Sequence, residues 1–385
     1  MMRAIPKILM FSSLVLSSIV HADKLKAETI DKLGEKLFFD PDLSKPSGQS
    51  CSTCHSPAAG FADPNKALPV SRGVLKDRLG SRNAMTTAYT AYTPPLHFDP
   101  TVRPAFPQGG YVGGLFWDGR SQTGTLEEQA KQPFLNPLEM HNQDKSDVVR
   151  SVRRSSYAHL FRKVFGPQSL NDVDTAFQHI AEALAAYERS DDMNRFSAKY
   201  DYFLAGLATL TPAEERGRLL FMGKARCSNC HTPKGGPDGR PLFTSFGFQN
   251  LGVPKNPENP YYDLPPELNP DGADFVDVGL GAVVNDPLQR GKFKIPTLRN
   301  VEVTAPYMHN GVFKTLHEVV MFDNTRDVAS WPPAEVPETV HRNAQLLPGT
   351  LGRLGLSAQE VDDIVTFLTT LTDGFRPETS PVPLP

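Results

Sequence analysis

The chain has 385 residues, enough for two domains of ordinary size. It is 39% hydrophobic and 22% charged, a composition that permits a sizeable core and excludes a disordered chain. The formal net charge of −3 gives no electrostatic footprint for nucleic acid, and the four cysteines, all in two short motifs, exclude a disulfide scaffold.

Residues 1–22 have the pattern of a secretory signal peptide. Arg3 and Lys7 give a basic start, residues 8–20 are mostly apolar, and Ala22 ends the segment with the small residue that a signal peptidase reads. The apolar run is too short to cross a bilayer, which needs roughly 20 residues. We therefore expect export and cleavage after Ala22, and no later stretch is apolar enough to span a membrane.

A short pattern occurs twice in the chain. A Gly-x-x-Leu-Phe-like helical segment at 34–39 precedes Cys-Ser-Thr-Cys-His at 51–55, and a similar segment at 217–221 precedes Cys-Ser-Asn-Cys-His at 227–231. Each copy predicts an amphipathic helix followed by a Cys-x-x-Cys-His loop. The repeat therefore indicates two similar halves.

Three helices have clear boundaries in the sequence. Residues 172–190 carry an apolar face at helical spacing. Thr211 with Glu214 forms a capping box that begins the helix of the second repeat, and Ser357 with Glu360 begins a final helix. Strand alternation is scarce, while 35 prolines and 29 glycines predict long loops, one of them over 232–291. A proline-rich tail, 375–385, follows.

Cys-x-x-Cys-His is the attachment motif of c-type haem, in which two thioethers hold the porphyrin and the histidine ligates the iron. A zinc site would need a second Cys/His pair at short spacing, and a redox dithiol would leave both histidines without a role. We expect two covalently bound haem c groups and a mostly α fold of two cytochrome c-like domains, 23–205 and 206–374. The expected haem-binding residues are Cys51, Cys54, His55, Cys227, Cys230 and His231.

The sixth coordination position decides whether a haem transfers electrons or reacts with an oxidant. No histidine lies between His55 and His97, so the sequence around the first motif offers no nearby second histidine ligand.

Several further segments occur in the order found in one family. With them the chain resembles the bacterial dihaem cytochrome c peroxidases and the related MauG-type enzymes over nearly its whole mature length. The matching segments are 37–41, 82–84, 116–120, 137–140, 296–300 and 304–311, together with the two haem motifs.

The resemblance implies roles for particular residues. The amino-terminal haem would be peroxidatic and the carboxy-terminal haem would transfer electrons, with Trp117 as the relay between them. Glu139 would be the carboxylate that assists cleavage of the peroxide O–O bond. A calcium ion would be held by the side chain of Asn83 and the backbone carbonyls of Thr304 and Pro306.

The sequence departs from the family pattern in two places. A distal histidine found in many of these peroxidases would fall at Val74 or Leu75, so we expect the first haem to be open at rest. The distal ligand of the second haem, methionine or tyrosine in the family, falls at Asp323, and Met321, Met308 or water are equally open choices. His309 matches a family residue whose expected task is hydrogen bonding.

The resemblance implies a periplasmic enzyme that reduces hydrogen peroxide to water with electrons from a small cytochrome c or copper protein. The alternative is a MauG-type enzyme that uses the oxidised dihaem centre to withdraw electrons from tryptophan or tyrosine side chains of a partner protein. The third hypothesis is a plain electron carrier or redox sensor in which both haems are six-coordinate.

Overall fold

The computed structural model describes residues 29–102, 109–341 and 349–377. The expected signal peptide, 1–22, and the tail from residue 378 onward lie outside the described residues. No helix within the described ranges is long and apolar enough to cross a membrane.

The described residues are mostly helical, as the sequence predicts, with two short antiparallel strand pairs. The strands are β1 (His97–Asp99) with β2 (Gly110–Val112), and β3 (Phe248–Gln249) with β4 (Phe293–Lys294). The helices are α1 (29–38), α2 (Cys51–Cys54), α3 (Leu126–Leu135), α4 (Lys145–Arg154), α5 (Ala158–Phe165), α6 (Val173–Arg189), α7 (Lys199–Leu204), α8 (Pro212–Met222), α9 (Leu280–Val284), α10 (Leu316–Thr325) and α11 (Ala358–Thr369).

The three helix boundaries predicted from the sequence are confirmed. The Asp172 side chain caps α6 by accepting from the backbone N–H of Thr175. Thr211 and Glu214 form the capping box of α8, and Ser357 and Glu360 form the equivalent box of α11. Each cap satisfies backbone N–H groups that the first helical turn leaves without partners.

The repeated sequence pattern corresponds to a repeated helix packing. A Cβ placed on Gly34 of α1 would lie 1.9 Å from the carbonyl oxygen of Ala183 on α6. A Cβ placed on Gly217 of α8 would lie equally close to the carbonyl oxygen of Asp363 on α11. In both halves, glycine therefore lets the helix before the Cys-x-x-Cys-His motif contact the backbone of a longer helix.

The apolar side chains form two large clusters. The first is built around α1, α4 and α6 and includes the fully buried Leu37 and Phe38. The second is built around α8, α10 and α11 and includes Phe221, Phe243 and Phe367. The first cysteine of each motif packs against one cluster: Cys51 contacts the first cluster and Cys227 contacts the second.

Buried polar contacts join the two clusters. The guanidinium of Arg299 is fully buried and makes a two-pronged pair with Asp201, at 2.6 and 2.7 Å. The hydroxyl of Tyr89 donates to Asp373 near the end of the described chain at 2.8 Å.

Phe375, the first residue of the predicted tail, packs edge-on against Tyr202.

Candidate active site

Two cavities of about 490 Å³ each open between the helices, a size suited to a bound cofactor. Cys51, Cys54 and His55 line the first cavity. The second cavity is lined by the equivalent residues of the second motif, Cys227, Cys230 and His231. The structure thus places all six predicted haem-binding residues on cavity walls, three in each.

The two motif histidines are held in the same way. Nδ1 of His55 donates to the carbonyl of Phe61 at 3.1 Å, and Nδ1 of His231 donates to the carbonyl of Phe243 at 3.0 Å. Burial lowers the pKa of both imidazoles, that of His231 to about 4, so both rings are neutral. With the proton fixed on Nδ1, the lone pair is on Nε2, as an iron ligand requires.

The cysteine environments fit thioethers better than metal-bound thiolates. Burial raises the pKa of Cys51, Cys54 and Cys230 to about 12, and it raises the pKa of Cys227 as well. A zinc ligand must ionise, and these apolar surroundings oppose that charge. None of the four cysteines forms a disulfide.

A thin wall separates the cavities, and Trp117 lies in it. Trp117 lines both cavities, as do Asn83 and Lys294. The indole Nε1 donates to the carbonyl of Asn83 at 2.9 Å, and the Trp117 carbonyl accepts from the backbone N–H of Lys294 at 2.8 Å. These bonds fix the ring where a relay between two bound cofactors would have to be.

Glu139 lines the first cavity, where its side-chain oxygen accepts from Nδ2 of Asn136 at 2.9 Å. Burial raises the pKa of its carboxyl, and Arg120 and Asn136 oppose that shift only in part. The carboxyl can therefore change protonation nearer to neutral pH than an exposed glutamate does.

The segment in which a distal histidine would be expected packs against the backbone beside Glu139. The N–H of Val74 donates to the Glu139 carbonyl at 2.9 Å, and neither Val74 nor Leu75 lines the cavity. Gly73 is in close contact with the backbone of Leu138. Among the described residues, His55 is the one histidine that lines this cavity.

Of the three side chains that could be the sixth ligand at the second site, two line the second cavity. Asp323 and Met308 line the second cavity, whereas Met321 does not. The Oδ1 atom of Asp323 is buried and has no hydrogen-bond partner in the described chain. Burial raises the pKa of this carboxyl to about 7, with Arg326 opposing the shift. Asp323 thus presents a buried, unpartnered oxygen in the wall of this cavity.

The residues expected to bind calcium all line the second cavity. Asn83 turns its amide nitrogen toward the carbonyl of Pro69, at 3.2 Å, which leaves its oxygen as a possible ligand. Thr304 and Pro306 line the same wall. No group of three His, Cys, Asp or Glu side chains in the described ranges could hold a metal, so calcium would depend on amide and carbonyl oxygens.

Several charged residues at these cavities were not among the predicted site residues. Arg82 pairs with Asp118 on one side and Asp277 on the other, each at 2.6 Å. Lys294 is 7% exposed, and Glu188 is a buried carboxyl whose pKa burial raises to about 8. No sequence signal distinguished Lys294, since Lys292 lies two positions earlier in the same alternating pattern and lines neither cavity. The pairing of Arg82 with Asp277 had no such signal either, because 195 positions separate them.

A mostly helical fold with two equivalent halves, each presenting a neutral histidine and two cysteines to a large cavity, defines a cytochrome c-like protein with two cofactor sites. Comparison with known proteins gives the family. A profile described as Di-haem cytochrome c peroxidase matches residues 28–209. The Methylamine utilization protein MauG of Paracoccus denitrificans is 41% identical over 362 residues, covering 90% of this chain and 89% of its own.

Two further proteins are similar over most of their length. Cytochrome-c peroxidase IdrP1 of Denitromonas iodatirespirans is 31% identical, covering 89% of this chain and 82% of its own. The crystal structure of the diheme peroxidase BthA from Burkholderia thailandensis matches with a TM-score of 0.75 and 34% identity, covering 90% and 86%. The chain belongs to the di-haem cytochrome c peroxidase family, which confirms the resemblance, and it is an oxidoreductase of the peroxidase type with two haem cofactors.

Proposed function

We propose that this protein is a periplasmic peroxidase with two covalently bound haem c groups, which reduces hydrogen peroxide with electrons from a small cytochrome c or copper protein. The observation that carries the proposal is the position of Trp117 in the wall between two cavities, of which the first is lined by Glu139 and, among the described residues, by no histidine other than His55. The proposed signal peptide, 1–22, supports export.

The residues fit the expected cofactors. His55 with Cys51 and Cys54 would hold the first haem, and the second motif would hold the other. Both imidazoles are neutral and hydrogen-bonded through Nδ1, as iron ligation requires. When bound, the two haem groups supply the iron that binds peroxide and the store for its oxidising equivalents.

Glu139 is the proposed acid–base group for peroxide cleavage. Its carboxylate would accept a proton from one peroxide oxygen and return it to the other, which would leave as water, while the bound haem groups would supply the two electrons that cleavage of the O–O bond consumes. Asn136 orients the carboxyl by donating to one oxygen. Glu139 is only partly exposed on the cavity wall, which limits the water that competes for the proton between the two transfers.

Trp117 is the proposed relay between the two sites. Its indole lines both cavities and is held at the ring nitrogen by Asn83 and at the backbone by Lys294. A fixed aromatic ring shortens the gap that an electron must cross and needs no rearrangement to be used repeatedly.

Asp323 is the proposed distal ligand of the second haem. Its Oδ1 atom is buried and has no hydrogen-bond partner within the described ranges, and the residue lines the cavity that contains His231. An anionic oxygen ligand favours higher oxidation states of iron than a methionine sulfur does. We also propose a calcium ion held by Asn83, Thr304 and Pro306, since their amide and carbonyl oxygens suit this cation.

A second function is supported by the relative at 41% identity, which is named a MauG protein. In this reading the oxidised protein withdraws electrons from tryptophan or tyrosine side chains of a partner protein. Asp323 favours this second function, because its carboxylate oxygen would stabilise the oxidised form of the second haem better than a methionine sulfur would. The same cavity residues serve both functions, and only the electron donor differs.

One experiment tests the proposal and separates the two functions. The visible spectrum of the exported, oxidised protein is recorded before and after one equivalent of peroxide, and the peroxide-driven oxidation of a reduced small cytochrome c and of a reduced small copper protein is then measured. We expect a high-spin component at rest that peroxide removes, followed by rapid turnover. A fully low-spin resting spectrum, unaltered by peroxide, would refute the proposal. A peroxide-dependent change without turnover of any small donor would favour protein oxidation.

A further inference from the structure

Glu188 is a buried carboxylic side chain in the wall of the first cavity. It lies in the last turn of α6 and is 6% exposed. Leu184, one turn earlier on α6, also lines the first cavity, whereas the neighbouring Tyr187 and Arg189 do not. Residues four positions apart lie on the same face of an α-helix. The Glu188 side chain therefore leaves α6 on the face that borders this cavity.

The Glu188 carboxyl also lies near the motif cysteine Cys51. Burial has the largest effect in raising the pKa of the Cys51 thiol, and the charge of Glu188 has the next largest. Cys51 lines the same cavity and packs against the cluster that includes Leu184. Both observations place the carboxyl at the edge of the first cavity.

The carboxyl makes no hydrogen bond or ion pair with the described residues. Nδ2 of Asn194 donates to the backbone carbonyl of Glu188 and not to its side chain. The adjacent Arg189 is engaged in a two-pronged pair with Glu127 of α3, at 2.7 and 2.9 Å. Because a buried carboxylate without a cation is unfavourable, the neutral acid is the favoured form of Glu188.

At neutral pH the Glu188 carboxyl holds a proton. Burial raises its pKa to about 8, while the charge of Arg189 opposes this shift and the charge of Glu127 adds to it. A protonated carboxyl has one O–H donor and free acceptor positions, so it can release one proton and take up another.

The other carboxyl and phenol groups of the described residues that line the first cavity have other contacts. Asp118 pairs with two arginines, and the hydroxyl of Tyr89 donates to Asp373. Glu139 accepts a hydrogen bond and is the proposed group for O–O cleavage. Within the described ranges, Glu188 is therefore the acid that lines this cavity with its carboxyl free.

The proposed reaction needs protons that Glu139 does not supply. Reduction of hydrogen peroxide to two water molecules takes up two protons and two electrons. Glu139 moves a proton from one peroxide oxygen to the other, so it adds none to this balance. Two protons must therefore enter the first cavity from solvent for each peroxide reduced.

We propose that Glu188 is the residue through which solvent protons enter the first cavity. This inference rests on the proposed function. Glu188 releases its proton into the cavity, where it is taken up as peroxide oxygen is reduced to water, and it recovers a proton from solvent at the exposed end of α6, beside Arg189. Two such cycles supply two protons, the small redox protein supplies two electrons, and both oxygen atoms leave as water.

The test uses the haem-loaded protein. Glu188→Gln keeps the shape of the side chain and removes the acid, and Glu188→Asp keeps an acid on a shorter side chain. Glu182→Gln on the same helix is the matched control, since Glu182 accepts from Gln178 and lines neither cavity. The readouts are the infrared C=O band of protonated carboxyl groups at rest, the rate of reaction with one equivalent of peroxide, and the pH profile of turnover with a reduced small cytochrome c or copper protein.

We expect a protonated-carboxyl band in the wild type at pH 7 that disappears as the pH rises through about 8 and that Glu188→Gln lacks. Glu188→Gln should react with one equivalent of peroxide at the wild-type rate, because Glu139 is intact, but its turnover should fall about 10²-fold. Wild-type turnover should decline above about pH 8, where Glu188 loses its proton, and this decline should be absent from Glu188→Gln. Glu188→Asp should retain part of the turnover, and Glu182→Gln should match the wild type in all three readouts.

An infrared band that persists in Glu188→Gln, or a turnover rate and pH profile equal to those of the wild type, would overturn the inference. If Glu188→Gln lacks haem, the same comparison is made with Glu188→Asp, and wild-type turnover together with an unshifted pH profile in that variant would overturn it. A wild-type protein that does not react with peroxide would refute the proposed function itself. A wild type that turns over and a Glu188→Gln variant that equals it would refute only this inference.

Discussion

The indole Nε1 of Trp117 donates a hydrogen bond to the backbone carbonyl of Asn83, with 2.9 Å between nitrogen and oxygen. Both residues line both cavities, and Asn83 is also the side chain expected at the calcium site. The relay ring and the proposed cation site are therefore joined through one residue. A change in the position of Asn83 would move both.

Trp117→Phe should leave both haem groups attached while electron transfer between them becomes slower, because the ring that spans the wall is smaller and is no longer anchored. Loss of the indole hydrogen bond should cost about 1 kcal/mol of the unfolding free energy. Rapid mixing of the half-reduced protein with peroxide measures the transfer. Trp331→Phe is the control, since Trp331 donates to Thr325 and lines neither cavity. A wild-type transfer rate in Trp117→Phe would contradict the relay role.

Glu139→Gln should slow the reaction with peroxide by about 10²- to 10⁴-fold, the usual contribution of general acid–base catalysis. The haem spectrum at rest should be unchanged, because Gln keeps the shape and one hydrogen-bonding oxygen. Because burial raises the pKa of Glu139, the wild-type rate should fall at a higher pH on acidification than an exposed glutamate would give. Stopped-flow mixing with peroxide measures both effects. Glu128→Gln on the exposed face of α3 is the control and should react at the wild-type rate.

Asp323→Asn should change the spectrum of the second haem and leave that of the first unaltered, because only the second cavity is lined by Asp323. Asp323→Met should raise the potential of the second haem, since sulfur stabilises the reduced iron. Electron paramagnetic resonance and spectroelectrochemistry measure these changes. Met308→Leu and Met321→Leu are the matched controls. A spectrum altered by Met308→Leu and not by Asp323→Asn would assign the ligand to Met308.

The sequence was most informative where a short local pattern determines the structure. The capping boxes of Thr211 and Ser357 are local patterns, and they begin α8 and α11 as predicted. The Cys-x-x-Cys-His motifs are local patterns too, and each of them lines one cavity. The helix α3 was not predicted, although Thr125 followed by Glu128 is the same type of start signal.

Long-range contacts could not be predicted from one sequence. Phe61 and Phe243 orient the two histidines through their backbone carbonyls, 6 and 12 positions downstream, and no side-chain pattern marks a carbonyl. Which of Asp323 and Met321 lines the second cavity could likewise not be predicted from the sequence, since it depends on which face of α10 packs toward that cavity.

Gly34→Ala and Gly217→Ala should each destabilise one half of the protein. Each added methyl group would lie 1.9 Å from a carbonyl oxygen of the facing helix, so the helices must separate. Overpacking of this kind typically costs about 1–3 kcal/mol. Thermal unfolding of the haem-loaded protein measures the loss. Gly80→Ala is the control, because its nearest contact would be an ordinary 3.6 Å. An unchanged transition in both variants would show that the repeated helix contact is not tight in solution.

Asp277→Asn should weaken the protein and reduce its sensitivity to acid. Burial alone would raise the pKa of Asp277, but the guanidinium of Arg82 outweighs it and lowers the pKa from 3.8 to about 2. Because the folded-state pKa is depressed, this pair stabilises the fold above about pH 4, and the contribution is lost as the pH falls toward 2. The difference corresponds to about 2 kcal/mol. Denaturant unfolding at pH 7 and between pH 4 and 2 measures it, with the exposed Asp77→Asn as control. If Asp277→Asn lost as much stability on acidification as the wild type, another carboxyl would have to account for the acid sensitivity.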